Sequence, residues 1–155
     1  MTKTDCVFCA IVAGSIPCHE IWSSSTHLAF LSIFPNMAGV TVVIPKTHYS
    51  SYVFDQTPTV ISELMMAAQK AAKKLDAHFS DVDRCGVVFE GFGVDHLHAK
   101  LFPLHGTKSE SGWKPLESGH ITTYFDQYPG YIASNDSDRA DDTELAALAQ
   151  QVRDK

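Results

Sequence analysis

The stretch RCGVVFEGFGVDHLHAKLF, residues 84–102, decides the fold class. It contains two short runs suited to β-strands, residues 84–90 and 95–102, separated only by the four residues 91–94, which include Gly91-Phe92-Gly93. Four residues are too few for a helical crossover, so the two predicted strands must be antiparallel. An antiparallel sheet combined with helices elsewhere in the chain predicts an α+β fold.

The residues upstream supply the other elements. Runs rich in aromatic and β-branched residues predict strands over residues 20–23, 27–33 and 40–44. Thr57 as N-cap and Pro58 in the first turn begin an amphipathic helix whose apolar stripe spans residues 60–75. Residues 5–13 also have helical spacing and end at Gly14. We therefore predict a five-stranded antiparallel sheet with one long helix and a short N-terminal helix.

The last third of the chain has a different composition. Residues 105–140 carry many Gly, Ser, Pro and Asp residues without a sustained period, which predicts a long ordered excursion rather than a second core. Asp142 is the predicted N-cap of a final helix. The apolar residues that share a face of this helix are Leu145, Leu148, Ala149 and Val152. We assign residues 1–104 to one domain and residues 105–155 to a C-terminal extension packed on the same domain.

Charge, hydropathy and cysteine content limit the partners. A net charge of −6 opposes broad attraction to a nucleic-acid backbone, so we expect no polymeric nucleic-acid partner. No stretch approaches the roughly 18 apolar residues of a membrane span, so we expect no membrane association. Four cysteines without an export signal predict thiols in a reducing compartment, and we expect a cytoplasmic protein.

Polar residues alternate along the predicted last strand. Strand geometry would place His96, His98 and Lys100 on one surface, next to the glycine-rich turn at residues 91–93. A turn of small residues lets a ligand approach backbone N–H groups, which favours a binding site over a merely solvated strand face. A pair of histidine metal ligands is the other interpretation, and both can hold in part.

Cys6 and Cys9 have the C-x-x-C spacing of two ligands to one tetrahedral metal ion. His48 and His96 are the best candidates for the other two ligands. A redox pair is the main alternative, but it would require a βαβ unit that the sequence does not contain. A hydrolytic metal centre is disfavoured because four protein ligands leave no position for an activated water.

Several of these motifs together resemble the histidine triad superfamily. The matching stretches are IPKTH at residues 44–48, EG at residues 90–91 and HLHAKLFP at residues 96–103, and the similarity runs from about Asp5 to Pro103. The resemblance implies that residues 1–104 form a nucleotide-binding domain whose sheet pairs with a second copy in a homodimer. It also implies a small nucleotide bound with its α-phosphate against the histidine strand.

The resemblance further implies the catalytic roles. His98 would attack phosphorus and carry the nucleotidyl group as a phosphoramidate until water or another acceptor removes it. His96 and Lys100 would complete the catalytic set, with Lys100 in place of the family's third histidine and its charge against a phosphate oxygen. A neutral imidazole is nucleophilic near pH 7, so His98 needs an unprotonated Nε2. The resemblance suggests a backbone carbonyl on the same strand as the partner of its Nδ1–H.

The resemblance also implies a metal site and a set of nucleotide contacts. Zinc-containing members and the related galactose-1-phosphate uridylyltransferases suggest that Cys6, Cys9, His48 and His96 bind a structural zinc ion. The residues at family positions around the nucleotide are Val7, Phe8, Ile11, Phe30, Leu31, Ser32, Ile33, Phe89 and Gly93. For each apolar residue taken singly, ordinary core packing is an equal alternative.

Two functions remain at this stage. The first is a nucleotidyl hydrolase or transferase that acts at the α-phosphate of a nucleotide conjugate such as a phosphoramidate or a dinucleoside polyphosphate. The second is a zinc-stabilised nucleotide-binding module with little or no turnover. Three departures from the family pattern motivate the second, namely Ser32, Phe89 and Lys100.

Overall fold

The computed structural model describes residues 5–113, 115, 123–134 and 137–153. The chain divides into two compact units, residues 1–114 and residues 115–155. The predicted packing of the C-terminal extension on the first domain stays a prediction. Part of the predicted excursion over residues 105–140 lies outside the described residues.

A five-stranded antiparallel sheet forms the centre of the first unit. Its strands are β1 (His19–Ser23), β2 (His27–Leu31), β3 (Thr41–Pro45), β4 (Cys85–Val88) and β5 (Ala99–Pro103). Their order in the sheet is β1-β2-β3-β5-β4, and every neighbouring pair is antiparallel. The helices are α1 (Val7–Val12) and α2 (Pro58–His78), with a 3-10 turn at Val53–Asp55. The predicted α+β class and five-stranded antiparallel sheet are confirmed.

Helix α2 covers one face of the sheet. The Thr57 hydroxyl accepts a hydrogen bond from the backbone N–H of Val60 at 3.4 Å and caps the helix, as its sequence predicts. The buried side chains of the helix are Leu64, Ala67, Ala68, Ala71 and Leu75. Alanines let the helix approach the sheet closely, where it packs on Ala29, Val43, Ala99 and Leu101 in the main core cluster.

Helix α1 lies over the opposite face. Leu28, Phe30, Val42 and Ile44 form a smaller cluster there, and α1 adds the partly buried side chains of Phe8, Ile11 and Val12. No residue of α1 itself is buried. A six-residue helix cannot cover a whole sheet face, so this side has room for a cavity.

Three strand boundaries differ from the sequence prediction. Strand β5 begins at Ala99 rather than at residue 95, because the Leu97 N–H donates to the Tyr49 carbonyl at 2.9 Å instead of to a neighbouring strand. Strand β4 covers Cys85–Val88 rather than residues 84–90, and β2 ends at Leu31 rather than at residue 33. His96 and His98 therefore lie between the end of β4 and the start of β5, and the chain rejoins the sheet directly after them.

The second unit contains α3 (Asp142–Arg153). The helix is predicted correctly, but its cap is Asp141 rather than Asp142. The Asp141 carboxylate accepts hydrogen bonds from the N–H groups of Thr143 at 2.9 Å and Glu144 at 3.1 Å. The apolar side chains of this helix are exposed. Within the described residues, no helix has the length and apolar character needed to cross a membrane.

Candidate active site and metal centre

Four side chains from three separate parts of the chain meet near the N-terminal end of α1. Cys6 caps α1 and Cys9 lies within it, while His48 follows β3 and His96 precedes β5. Cys6 Sγ lies 3.4 Å from His96 Nδ1, and Cys9 Sγ lies 3.3 Å from His48 Nδ1 and 3.6 Å from His96 Nδ1. All four ligand atoms lie within 4.8 Å of one another.

This donor set fits a tetrahedral zinc ion. Zinc bonds of about 2.3 Å to sulfur and about 2.0–2.1 Å to nitrogen imply ligand separations of roughly 3.3–3.8 Å in a tetrahedron. The three sulfur–nitrogen distances of 3.3, 3.4 and 3.6 Å fall in that range. Two thiols and two imidazoles are also ligands that zinc prefers. The four residues nominated from the sequence are therefore brought together in a form suited to a metal.

Both ring nitrogens of His96 face other protein groups. Its Nδ1 faces the two thiols, and its Nε2 lies 2.9 Å from the Pro45 carbonyl, to which it donates when Nδ1 is the ligand atom. The ring has no exposed surface, and this burial lowers its pKa. The predicted side-chain alternation extends back to this residue, because Leu97, Ala99 and Leu101 lie in the main core cluster, whereas the rings of His96 and His98 both lie edge to face with Phe8.

A cavity of about 350 Å³ opens between α1 and the sheet. Its wall is mostly apolar, and His98 and Lys100 lie at one end. The lining residues are Val7, Phe8, Ile11, Ile16, Pro17, Cys18, Phe30, Leu31, Ser32, Ile33, Phe34, Val42, Phe92, Gly93, Val94, His98 and Lys100. An apolar slot with a few polar groups at one end is a usual form for a small-molecule site.

His98 is held by its own backbone neighbourhood. The residue is only 3% exposed, and its Nδ1 lies 2.8 Å from the His96 carbonyl, which can only accept a hydrogen bond. Nδ1 therefore carries the proton and Nε2 does not. Within the described residues, every side-chain nitrogen or oxygen that is fully buried has a hydrogen-bond partner. Nε2 of His98 has no such partner among those residues, so it is not fully buried. It therefore reaches the cavity that His98 lines.

Burial lowers the pKa of His98, and the nearby Lys100 ammonium lowers it further. The hydrogen bond to the His96 carbonyl and the Glu90 carboxylate act in the opposite direction. The net effect keeps the imidazole neutral near pH 7. A neutral ring with its free nitrogen toward a cavity has the form that a nucleophile needs.

Lys100 reaches the same cavity from β5 and forms an ion pair with Glu90. Its Nζ lies 3.6 Å from Glu90 Oε2, and the Lys100 side chain is 36% exposed. The ammonium thus has an acidic partner and also reaches the cavity. A cation two residues from the neutral imidazole suits contact with a phosphate oxygen.

Comparison with known proteins identifies the family. The HIT domain model matches residues 13–107. The chain belongs to the HIT family. It is 31% identical to the protein hit of Bacillus subtilis over 71% of this chain and 79% of that protein. It is 30% identical to the adenosine 5′-monophosphoramidase hnt1 of Schizosaccharomyces pombe over 63% of this chain and 73% of that one.

A solved structure agrees with the assignment to the HIT family. SMU.412c from Streptococcus mutans superposes with a TM-score of 0.68 at 27% identity, covering 99% of this chain and 86% of that one. The resemblance read from residues 44–48, 90–91 and 96–103 is thus confirmed at the level of the family.

The loop before the HIT histidines is anchored at both ends. Gly91 has a φ of +76°, and a Cβ there would lie 3.3 Å from the Ser51 carbonyl oxygen, which favours glycine. The Asp95 carboxylate accepts a hydrogen bond from the Ser51 N–H at 3.0 Å, and this bond lowers the pKa of Asp95. Asp95 thus fastens the loop to residue 51.

Most of the nucleotide contacts expected from the HIT pattern line the cavity. The predicted residues that do so are Val7, Phe8, Ile11, Phe30, Leu31, Ser32, Ile33 and Gly93. Phe89 does not, because it packs against the main core cluster instead. Lining residues that the sequence did not indicate include Cys18 and Phe34, whereas Phe92 belongs to the glycine-rich turn noted in the sequence. Phe34 and Phe92 are 88% and 69% exposed, and only their position at the cavity distinguishes them from ordinary surface aromatics.

Proposed function

We propose that this HIT protein is a nucleotidyl hydrolase or transferase acting at the α-phosphate of a nucleotide conjugate, through a covalent intermediate on His98. One observation carries the proposal. The buried His98 ring donates its Nδ1–H to the His96 carbonyl and thereby turns an unprotonated Nε2 toward an apolar cavity. The name of the fission yeast relative, adenosine 5′-monophosphoramidase, suggests a nucleoside phosphoramidate as substrate.

The proposed reaction has two displacements at phosphorus. His98 Nε2 forms a bond to the α-phosphorus while the bond to the leaving nitrogen or oxygen breaks, and the leaving atom takes up a proton. Water then attacks phosphorus, the phosphorus–nitrogen bond breaks, and a proton returns to solvent. The positive charge that develops on the His98 ring is stabilised by the hydrogen bond from Nδ1–H to the His96 carbonyl. Lys100 opposes the charge on the phosphate oxygens.

The apolar part of the cavity suits the base of the nucleotide. Phe8 and Phe30 lie edge to face with ring centroids 5.7 Å apart, and both line the cavity. Aromatic and aliphatic side chains contribute favourable burial to a heterocyclic ring without selecting one base strongly. Ser32 lies in the same wall and is the proposed contact to the sugar hydroxyls.

Zinc would have a structural role here. Held by Cys6, Cys9, His48 and His96, it would supply a cross-link and no chemistry at phosphorus, since the four protein ligands complete its coordination. Fixing the His96 side chain also fixes the His96 carbonyl, which orients His98. The metal site and the nucleophile are thus joined through one residue.

The experiment uses adenosine phosphoramidate and follows release of AMP. Wild-type protein should turn over, and His98→Ala should reduce turnover by at least roughly a thousandfold, as loss of a nucleophile does in other covalent enzymes. His19→Ala is the matched control, because His19 is exposed on β1. Quenching in alkaline denaturant should trap a nucleotidyl adduct on His98, because the phosphorus–nitrogen bond of such an adduct is stable in alkali and breaks in acid. Unchanged turnover in His98→Ala would refute the mechanism.

The second candidate, a binding module with little turnover, is favoured by one observation, the Lys100–Glu90 pair in place of a third histidine. Calorimetry that shows AMP binding while no AMP is released from the phosphoramidate would support it. Repeated turnover would exclude it.

We also propose a homodimer and a cytoplasmic location. Strands β1 and β4 are the two open edges of the sheet, and a second copy could pair with either. Light scattering should then give twice the chain mass of 17.0 kDa. The cytoplasmic proposal is supported by the Cys6 and Cys9 thiols, which suit a metal in a reducing compartment.

A further inference from the structure

Glu90 is a largely buried carboxylate with one ionic partner. Its side chain is 15% exposed, and Lys100 Nζ at 3.6 Å is its partner. Among the described residues no other ion pair or hydrogen bond to Glu90 occurs. Taking a carboxylate out of water is costly, and one surface-accessible ammonium compensates it incompletely. Stability alone does not account for an acidic residue at this position.

Glu90 reaches the reacting groups through Lys100. In the β4–β5 ladder, Val88 lies opposite Lys100, and Glu90 follows two residues after Val88. The Glu90 carboxylate contacts the Lys100 ammonium at 3.6 Å, and Lys100 lines the same cavity as His98. Glu90 is thus joined by one ion pair to the cation beside the proposed nucleophile.

The charge balance of the cavity depends on this acid. Lys100 is the one lysine or arginine among the described lining residues. Glu90 offsets the charge of Lys100 without lining the cavity itself. An unpaired ammonium would bind a phosphate dianion more tightly, and AMP, the proposed product, is such a dianion.

We propose that Glu90 is a positioning residue that acts through Lys100. It fixes the Lys100 ammonium beside the phosphate and keeps the cavity near electrical neutrality, which limits retention of the nucleoside monophosphate product. The inference rests on the proposed function and adds a residue and a release mechanism to it.

The experiment compares Glu90→Gln, Lys100→Met and the double variant with wild type. Calorimetry measures AMP affinity, and turnover of adenosine phosphoramidate gives kcat and KM. Glu90→Gln should bind AMP roughly three- to tenfold more tightly, because the ammonium loses its counter-charge in a partly solvated site. Its kcat should fall roughly tenfold, because the ammonium is no longer fixed and release is slower. General damage to the fold would weaken binding instead.

The double variant tests whether Glu90 acts through Lys100. Lys100→Met should weaken AMP binding at least roughly tenfold, because it removes the ammonium that opposes the phosphate charge. Adding Glu90→Gln should then change AMP affinity by less than about twofold, because the carboxylate no longer has an ammonium to act on, which is a non-additive result. If Glu90→Gln alone fails to fold, a gain in AMP affinity of about threefold or more on adding it to Lys100→Met still overturns the inference. Glu63→Gln, an exposed acid on α2, is the matched control and should leave AMP affinity within twofold of wild type.

Two results would overturn the inference. One is AMP affinity and kcat within twofold of wild type in Glu90→Gln. The other is an equal gain of AMP affinity on adding Glu90→Gln in the presence and in the absence of Lys100. Because AMP affinity is measured without turnover, absence of phosphoramidate hydrolysis in wild type would refute the proposed function and leave this test intact.

Discussion

Removing the metal should destabilise the first unit by a predictable amount. A ligand at a thousand times its Kd that binds only the folded state contributes about 4 kcal/mol to the free energy of unfolding. For a unit of 114 residues, an unfolding entropy of about 2.1 cal/mol/K per residue gives roughly 0.24 kcal/mol/K. The thermal midpoint should therefore fall by about 15–20 °C when the metal is stripped.

The assay combines elemental analysis with thermal unfolding monitored by circular dichroism. Purified protein should contain one zinc ion per chain, and Cys6→Ser should lose the ion and show the low midpoint without chelator. Cys18→Ser is the matched control, because Cys18 lies outside the donor set and should keep the metal. A midpoint that chelation does not move, or stoichiometric zinc in Cys6→Ser, would refute the ligand assignment.

Three further predictions concern residues away from the metal. Burial raises the pKa of the Cys85 thiol to about 12, so it should resist alkylation at pH 8 until urea unfolds the protein; fast labelling of folded protein would contradict this. Hydrogen bonds to a backbone carbonyl and to Asp81 raise the pKa of His105, so NMR should find a midpoint above about 6.5 that falls in Asp81→Asn. The stability from this contact should be complete below pH 6.5 and lost as pH rises through the folded pKa, and a midpoint below 6.5 would reverse that sign. Leu64→Ala, at a position with no exposed surface, should cost about 2–5 kcal/mol in urea unfolding, whereas Met65→Ala, 43% exposed, should cost under about 1; equal losses would place Leu64 outside the core.

Much of the fold follows from local signals. The short gap at residues 91–94 between the two predicted strands excludes a crossover and predicts that β4 and β5 are antiparallel, as found. The β-branched run at residues 40–44 matches β3, shifted by one residue. Thr57 and Pro58 mark the start of α2 to the residue, because a capping hydroxyl followed by proline is a specific local pattern. Such features require no knowledge of distant contacts.

The errors occur where a distant contact decides the geometry. The side-chain alternation of His96 and His98 is kept, but the bond from Leu97 N–H to a loop carbonyl delays the start of β5 to Ala99. Phe89 can be aligned with the family pattern, yet its packing against the core depends on residues far along the chain. The cap at Asp141 differs from the prediction by one position, since two neighbouring aspartates give equal signals. Long-range hydrogen bonds and packing cannot be deduced from the local sequence pattern.

The incomplete burial of α1 has a consequence for the protein in a cell that lacks zinc. None of its side chains is buried, and its anchorage near Cys6 and Cys9 depends on the proposed ion. The sheet and α2 have their own core, so we expect them to stay folded below the lowered thermal midpoint. When zinc is scarce we therefore expect the chain to remain folded but to lose nucleotide binding. An antibody measurement of its abundance would then exceed the amount of active protein.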